Sequence, residues 1–286
     1  MIAARLGLKL FRSHAKLTLK GQVNDMVLPK AISETIGNRP YELDDIGMSG
    51  SQVLIFDDMV LKIQPESNEA ETERGLMRWL GGKLPVPSII CHEIKDVLSF
   101  LLMSRVTGKM TCDLEYINDP ERLIDLLCEG LKMLWNVDIA DCPCDATLNH
   151  HLEAAEYNVR NGLVDLDNVE PDTFGEGGFK DPEDLLAWLK ENRPAEDLVF
   201  SHGDYCLPNI FADENGVCGF IDLGRGGVAD RYRDIAICYR SLKSNLHGSY
   251  GGHPPVEFDA DKLFEKLGIT PDWHKIRYYI LMDELF

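Results

Sequence analysis

Ser201-His202-Gly203-Asp204-Tyr205-Cys206-Leu207-Pro208-Asn209 is followed, ten residues later, by Phe220-Ile221-Asp222-Leu223-Gly224. Between the two segments Asn215-Gly216 sits amid alternating β-prone residues. That dipeptide is the one a two-residue type I′ hairpin demands, because both loop positions take positive φ. With Asn215 and Gly216 as the loop, Glu214 faces Val217 and, counting back along both strands, Asn209 faces Asp222. Directly paired residues on one antiparallel face hold their Cβ atoms about 4.5–5.5 Å apart. The pattern therefore predicts a carboxamide oxygen and a carboxylate within reach of one hard cation.

Mg²⁺ is the natural candidate, since it takes oxygen ligands, keeps waters and is usually bound by one or two carboxylates plus substrate phosphates. Asp204, beside Gly203, then falls on a tight turn next to the metal, where it accepts or orients a hydroxyl proton. The order of these three residues is that of the kinase template: a catalytic-loop Asp, an Asn after four intervening residues, and a metal-holding Asp before a Gly. His-Gly-Asp alone is weak, and the register of Asp222 gives it weight. His202 reads as structural and Cys206 as a space-filling thiol.

The first third of the chain supplies the other parts of a kinase. Lys62 in Val60-Leu61-Lys62-Ile63 alternates with apolar neighbours, so it shares no face with them and is free to point into a cleft; an exposed edge-strand lysine is the plain alternative. Glu73, on the helix that follows, is the partner expected to hold Lys62, with Glu71 and Glu69 as competitors. Gly47-Met48-Ser49-Gly50-Ser51 lies between two strands, where small residues such as Ser49 and Gly50 let backbone N–H groups approach phosphate oxygens.

Residues 41–63 read as strand, glycine turn, strand, turn, strand, and a helix runs from about Ser67 to Leu80, ended by Gly81-Gly82 and Pro85. A short β region, Ser88 to Glu93, and an apolar strand, Val97 to Ser104, come next. Glu121 to Ile139 carries Leu123, Leu126, Leu127, Leu131, Leu134 and Val137 at the spacing of one buried helical face. Residues 165–183 read as an exposed acidic loop, with helices at Pro182 to about Asn192, Arg233 to Leu242 and Pro271 to the end. The simplest arrangement is α+β and two-lobed: a small β-rich N-lobe over residues 26–104 and a larger, mainly helical C-lobe over residues 105–286. Residues 1–25 contain no acid before Asp25 and read as an N-terminal extension, either a tail or an upstream-extended start with Met26 as the true one.

Bulk properties narrow the function classes. With 29 Lys+Arg against 48 Asp+Glu the net charge is −19, which disfavours a nucleic-acid binder and suits equally a site for polycationic small molecules or a charged surface that keeps the protein soluble. The eight cysteines show neither C-x-x-C nor zinc-ligand spacing; free thiols in the cytoplasm are expected. No run approaches the ~20 apolar residues of a membrane span.

At this point the sequence resembles the aminoglycoside 3'-phosphotransferases, enzymes with a protein-kinase-like fold that inactivate kanamycin and neomycin. The resemblance runs from about Gly47 to Phe286. It includes Gly47-Met48-Ser49, Leu61-Lys62, Trp79-Leu80 with Gly82-Lys83-Leu84-Pro85-Val86-Pro87, Leu101 to Ser104, Asp141-Cys142-Pro143, Phe179 to Pro182, Phe200 to Asp204, Gly219 to Arg225, Asp234-Ile235-Ala236, and the ending Tyr278 to Phe286. It implies ATP, with GTP as an alternative, together with Mg²⁺, and transfer of the γ-phosphoryl group to a hydroxyl, the 3' one. Asp204 would position or deprotonate that hydroxyl, Asn209 and Asp222 would hold the metal, and Lys62 paired with Glu73 would meet the nucleotide phosphates. Adenine would bond to the backbone of Ser104 and Val106, with Met103 lining the pocket. Polar contacts to the antibiotic would come from Asp204, Arg225, Glu284 and the terminal carboxylate of Phe286. Two departures stand out: Val60 replaces an aromatic that stacks on adenine in similar enzymes, and Ser244-Asn245 replace two acids. A monomer or weak dimer is expected.

Overall fold

The computed structural model describes residues 28–43, 51–167, 169–249 and 253–286. The extension over residues 1–25, and Ser49 and Gly50 of the glycine turn, lie outside the described residues. Five antiparallel strands form the first sheet: β1 (Glu42–Leu43), β2 (Gln52–Ile55), β3 (Met59–Pro65), β4 (Ile89–Lys95) and β5 (Leu98–Ser104), in the order β1-β2-β3-β5-β4. Strand alternation sorts the two faces. Met59, Leu61 and Ile63 of β3 and Phe100 and Leu102 of β5 pack with Ile32 and Ile36 of helix α1 (Lys30–Ile36). The opposite face carries Val60 paired with Met103 and Lys62 paired with Leu101. Because β3 lies between β2 and β5, Lys62 stands on a central strand and is buried.

Helix α2 (Asn68–Leu80) begins at Ser67, whose hydroxyl oxygen accepts the Ala70 N–H at 3.2 Å; Glu69 and Glu71 in its first turn suit the positive end of the helix. Its buried Leu76, Met77 and Leu80 belong to the core of the helical part, each worth roughly 1.5–3 kcal/mol of burial. That part holds α3 (Leu114–Ile117), α4 (Pro120–Trp135), α5 (Leu148–Asn161), α6 (Pro182–Glu191), α7 (Arg231–Leu246), α8 (Lys262–Leu267) and α9 (Trp273–Asp283). Two small sheets thread it: β7 (Leu198–Ser201) with β10 (Gly227–Asp230), and β6 (Lys109–Met110) with β8 (Ile210–Asp213) and β9 (Gly216–Phe220). The fold is thus α+β, an antiparallel sheet followed by a mainly helical part. Among the described residues no helix is long and apolar enough to cross a membrane.

The hairpin is paired out of the expected step. Ile210 faces Phe220 and Phe211 faces Gly219; a bulge follows, after which Ala212 faces Val217 and Asp213 faces Gly216. The loop is Glu214-Asn215, and Asn215 does not take the positive φ of a type I′ turn. Asp213 explains the shift: its carboxylate accepts the Asn215 N–H at 2.7 Å and closes the turn one residue early. Asn209 and Asp222 are consequently not a cross-strand pair. Asn209 ends a 3₁₀ turn (Leu207–Asn209) and its carbonyl accepts the Ile221 N–H at 3.1 Å, while Asp222 leaves the strand in a left-handed conformation, φ 61°.

Candidate active site

Lys62 reaches across from β3 to two carboxylates. Its ammonium lies 2.9 and 3.1 Å from the Glu73 oxygens and 2.8 Å from Asp222 Oδ1. Of the three acids considered for Lys62, Glu73 is the one that meets it. Burial would lower the Lys62 pKa, but the charges of Glu73 and Asp222 outweigh it and the net shift is upward, so the amine stays charged. Two carboxylates share this one cation. Burial also works against the Asp222 charge, yet Lys62 holds its pKa below the usual carboxylate range; Glu73, more deeply buried, is pushed up by desolvation with repulsion from Asp222 adding to it.

Asp204 follows Gly203, whose φ is 84° and whose missing Cβ would fall 2.0 Å from the Arg225 carbonyl oxygen, so only glycine permits the approach. Asn209 Nδ2 donates to both the carbonyl and Oδ2 of Asp204, each at 3.0 Å. His202 links this loop to the end of β9. Its Nδ1 faces the Asp204 N–H at 3.3 Å and its Nε2 faces the Ile221 carbonyl at 3.0 Å. Only the neutral Nε2–H tautomer satisfies both contacts. Cys206 lies near Asp204 and Asp222, and burial followed by those charges pushes its thiol well above the ordinary range, which keeps it protonated and poorly nucleophilic.

Beneath the loop sits Asp234 of α7, fully buried. It accepts the Ser201 hydroxyl and the Gly203 N–H on Oδ1, both at 2.9 Å, and the His202 N–H on Oδ2 at 2.8 Å. The role of Asp234 is not legible in the sequence, where the available signal is an acid followed by Ile235-Ala236-Ile237 inside a helix.

Arg225 lies on the other side of Asp204. Its Nε is 3.2 Å from Glu69 and its Nη1 is 3.5 Å from Asp283, and its guanidinium faces the Phe286 ring at 5.9 Å. Arg240 pairs with Asp283 and Glu284. Glu284 is buried and accepts the Glu170 N–H at 2.9 Å. Desolvation pushes its pKa up to about 7 against that bond and Arg240. Phe286 stacks on His151 with ring centroids 4.4 Å apart.

At the end of β5, the Ser104 N–H donates to the Ser88 carbonyl at 2.9 Å and the Ser104 hydroxyl oxygen accepts the Ser88 N–H at 2.8 Å. Val106 packs directly over Gly219, where a Cβ would meet its Cγ1 at 2.1 Å. Met103 is buried beside Val60.

Each of the two expected metal ligands keeps an oxygen suited to a hard cation. Asn209 uses its amide nitrogen on Asp204, leaving Oδ1 as an acceptor, and Asp222 meets Lys62 through Oδ1, leaving Oδ2. Among the described residues no group of three His, Cys, Asp or Glu gathers as a metal site, so an ion held here would complete its shell with oxygens from outside the chain.

A sequence model of the phosphotransferase enzyme family, APH, matches residues 40–279. The chain belongs to this family. An aminoglycoside 3'-phosphotransferase of Enterococcus faecalis is 45% identical over 222 residues, covering 76% of this chain and 79% of the relative. One of Staphylococcus aureus is 38% identical over 277 residues, covering 95% and 100%. Among solved structures, a type VIII aminoglycoside-3'-phosphotransferase superposes with a TM-score of 0.73 at 26% identity, covering 90% of this chain and 97% of its own. A Streptomyces rimosus aminoglycoside phosphotransferase in complex with ADP and streptomycin shares the fold at a TM-score of 0.71 and 23% identity, covering 89% and 95%. In this phosphotransferase, then, Lys62, Glu73 and Asp222 form one contact group, Asp204 and Asn209 a second, and Arg225, Glu284 and Phe286 a third that Asp283 and Arg240 join together.

Proposed function

We propose that the chain is an aminoglycoside 3'-phosphotransferase, moving the γ-phosphoryl group of ATP directly to the 3'-hydroxyl of antibiotics such as kanamycin and neomycin and so conferring resistance in the cytoplasm. The observation that carries this reading is the Lys62 ammonium held between Glu73 and Asp222, beside an Asp204 carboxylate fixed by Asn209. Residues 26–104 bind the nucleotide and residues 105–286 carry catalysis and the antibiotic. Asp204 takes or orients the hydroxyl proton through the oxygen that Asn209 does not engage, as the sugar oxygen bonds to phosphorus and the bond to ADP breaks. Lys62 meets the phosphates, with Glu73 keeping it in place. Ser104 and Val106 offer a carbonyl and an N–H to the base, against a wall of Met103 and Val60, with Ser49 and Gly50 at the phosphates. Asn209 and Asp222 would hold Mg²⁺, which when bound neutralises phosphate charge. Arg225, Glu284 and the Phe286 carboxylate address the antibiotic. Such a transfer leaves the protein mainly positioning and electrostatic work.

Mass spectrometry of products from aminoglycosides with and without a 3'-hydroxyl, using ATP and GTP, tests the reading. A gain of one phosphoryl group restricted to substrates bearing that hydroxyl is expected. Asp204→Ala is expected to lose turnover while still binding nucleotide, and full activity in that variant would remove the assigned role.

A further inference from the structure

Helix α2 carries Glu73, yet its apolar face does not belong to the sheet's other core, where α1 packs: Leu76, Met77 and Leu80 lie in one cluster with the helical part, as does Leu84 just beyond. The C-terminal end of α2 is also tied by polar contacts. Trp79 Nε1 donates to Asp141 Oδ1 at 3.1 Å, and the Lys83 ammonium donates to the same oxygen at 3.3 Å while lying 3.8 Å from the Trp79 ring centroid. The Trp79 ring in turn packs on Phe200 at 5.5 Å. Phe200 is in β7, the strand that runs directly into His202-Gly203-Asp204, and it pairs with Val228 of β10. The segment after Asp141 runs along that same β10, with the Val228 N–H donating to the Cys144 carbonyl at 2.9 Å and the Ala146 N–H to the Val228 carbonyl at 3.0 Å. Asp141 therefore stands where α2 meets the strand pair that presents Asp204.

We propose that Asp141 is a positioning residue for phosphoryl transfer: by gripping Trp79 and Lys83 it fastens α2 to the strand pair that leads into Asp204, and so sets where Glu73 holds Lys62. A helix fastened in this way fixes the distance between the phosphate-binding cation and the catalytic carboxylate. The N-terminal end of α2 has its own tie, Glu69 to Arg225, with the Glu69 backbone close against Gly224. Asp141 touches none of the residues assigned to substrate, and three-quarters of its side chain is exposed, so its replacement spares the core.

This inference rests on the kinase reading of the site, and its test separates the two. Nucleotide affinity is measured by calorimetry with the Mg²⁺ complex of a non-hydrolysable ATP analogue, without antibiotic, beside steady-state kinetics with kanamycin. Asp141→Ala and Trp79→Phe are each expected to weaken nucleotide binding and raise the KM for ATP about three- to tenfold, with the KM for kanamycin changed less than about twofold. The double variant is expected to be no worse than the poorer single one, because both remove the same bond. Asp141→Asn, which keeps an acceptor for Trp79, is expected to recover part of the loss. A purely structural role would lower the melting temperature and leave the KM for ATP alone; that result, or fully additive losses, overturns the proposal. Wild-type protein that turns over no aminoglycoside, while Asp141→Ala still weakens nucleotide binding, would instead count against the substrate assignment and leave the positioning role standing.

Discussion

Replacing Asp234 by Asn changes almost no volume but takes away one of the three contacts that hold the loop before Asp204. The carboxylate accepts three donors from consecutive residues, Ser201 Oγ and the N–H groups of His202 and Gly203, at 2.8–2.9 Å. An amide has one acceptor oxygen. In its better orientation that oxygen keeps Ser201 and Gly203, and the amide nitrogen is left facing the His202 N–H. Losing a hydrogen bond to a charged acceptor costs about 1.5–3 kcal/mol, and the two bonds that remain become neutral ones of roughly half the strength. Against this, burial pushes the Asp234 pKa up, so removing the charge returns some desolvation energy. A net loss of about 2–4 kcal/mol follows. The loop should also relax, moving Asp204 away from Asn209 and costing at least about tenfold in kcat. Urea unfolding and kanamycin kinetics measure the two effects. Stability within about 0.5 kcal/mol of wild type together with unchanged kcat would refute the account of Asp234 as the anchor of the loop.

Lys62→Met leaves Glu73 buried without its cation, so a stability loss of about 3–5 kcal/mol is expected alongside poor ATP use; adding Glu73→Gln should restore most of the stability and none of the nucleotide affinity, which unfolding and binding measurements distinguish. Gly203→Ala is expected to abolish activity in an otherwise folded protein, because the added Cβ meets the Arg225 carbonyl oxygen at 2.0 Å and the residue sits at φ 84°, and circular dichroism with an activity assay checks both halves. Desolvation pushes the Glu284 pKa up to about 7, above its unfolded value, so its contribution favours the fold at low pH and is lost as pH rises from the unfolded value toward 7, by roughly 1–2 kcal/mol once solvent screening is allowed for. Glu284→Gln should flatten that segment of the stability curve, and an identical slope in the variant would show that Glu284 does not titrate there.

Elements governed by local rules could be read from the chain. Period-2 alternation placed Lys62 away from Leu61 and Ile63, and β3 turns those two into one core while Lys62 enters the cleft. Ser67 capped the expected helix, and its end at Gly81 followed. The hairpin failed for an equally local reason, since Asp213 and Asn215-Gly216 are both turn formers and the aspartate won. Nothing local announced the pairing of Glu69 with Arg225 or of Trp79 with Asp141, because each joins residues far apart in sequence. Three acids within one turn and a half of α2 were candidates for Lys62, and only packing of Leu76 and Leu80 into the helical core decides that Glu73 points to it.

The bulge between Phe211 and Ala212 and the left-handed backbone of Asp222 act together. In the regular hairpin, Asp222 would have stayed in the strand opposite Asn209, with no reason to meet Lys62. In the observed turn its carboxylate meets the lysine, with Asp222 in a left-handed backbone conformation that is uncommon for non-glycine residues but that aspartate tolerates better than most. Lys62 is then already matched by two carboxylates, Glu73 and Asp222, so the cluster has no spare positive charge to offer a polyphosphate. On the proposed function, Asp222 would hold Mg²⁺ through the oxygen that Lys62 leaves open, and the charge of that ion would offset the acidic surplus, which would make Mg²⁺ and nucleotide affinity strongly interdependent. The third contact group has the same imbalance: Arg225 and Arg240 face Glu69, Asp283 and Glu284, and Arg225 also lies within reach of the Asp204 charge. On the same proposal the ligand itself would bring the missing ammonium groups there, so the deficit that calls for a metal on the nucleotide side would let the aminoglycoside bind as a free polycation.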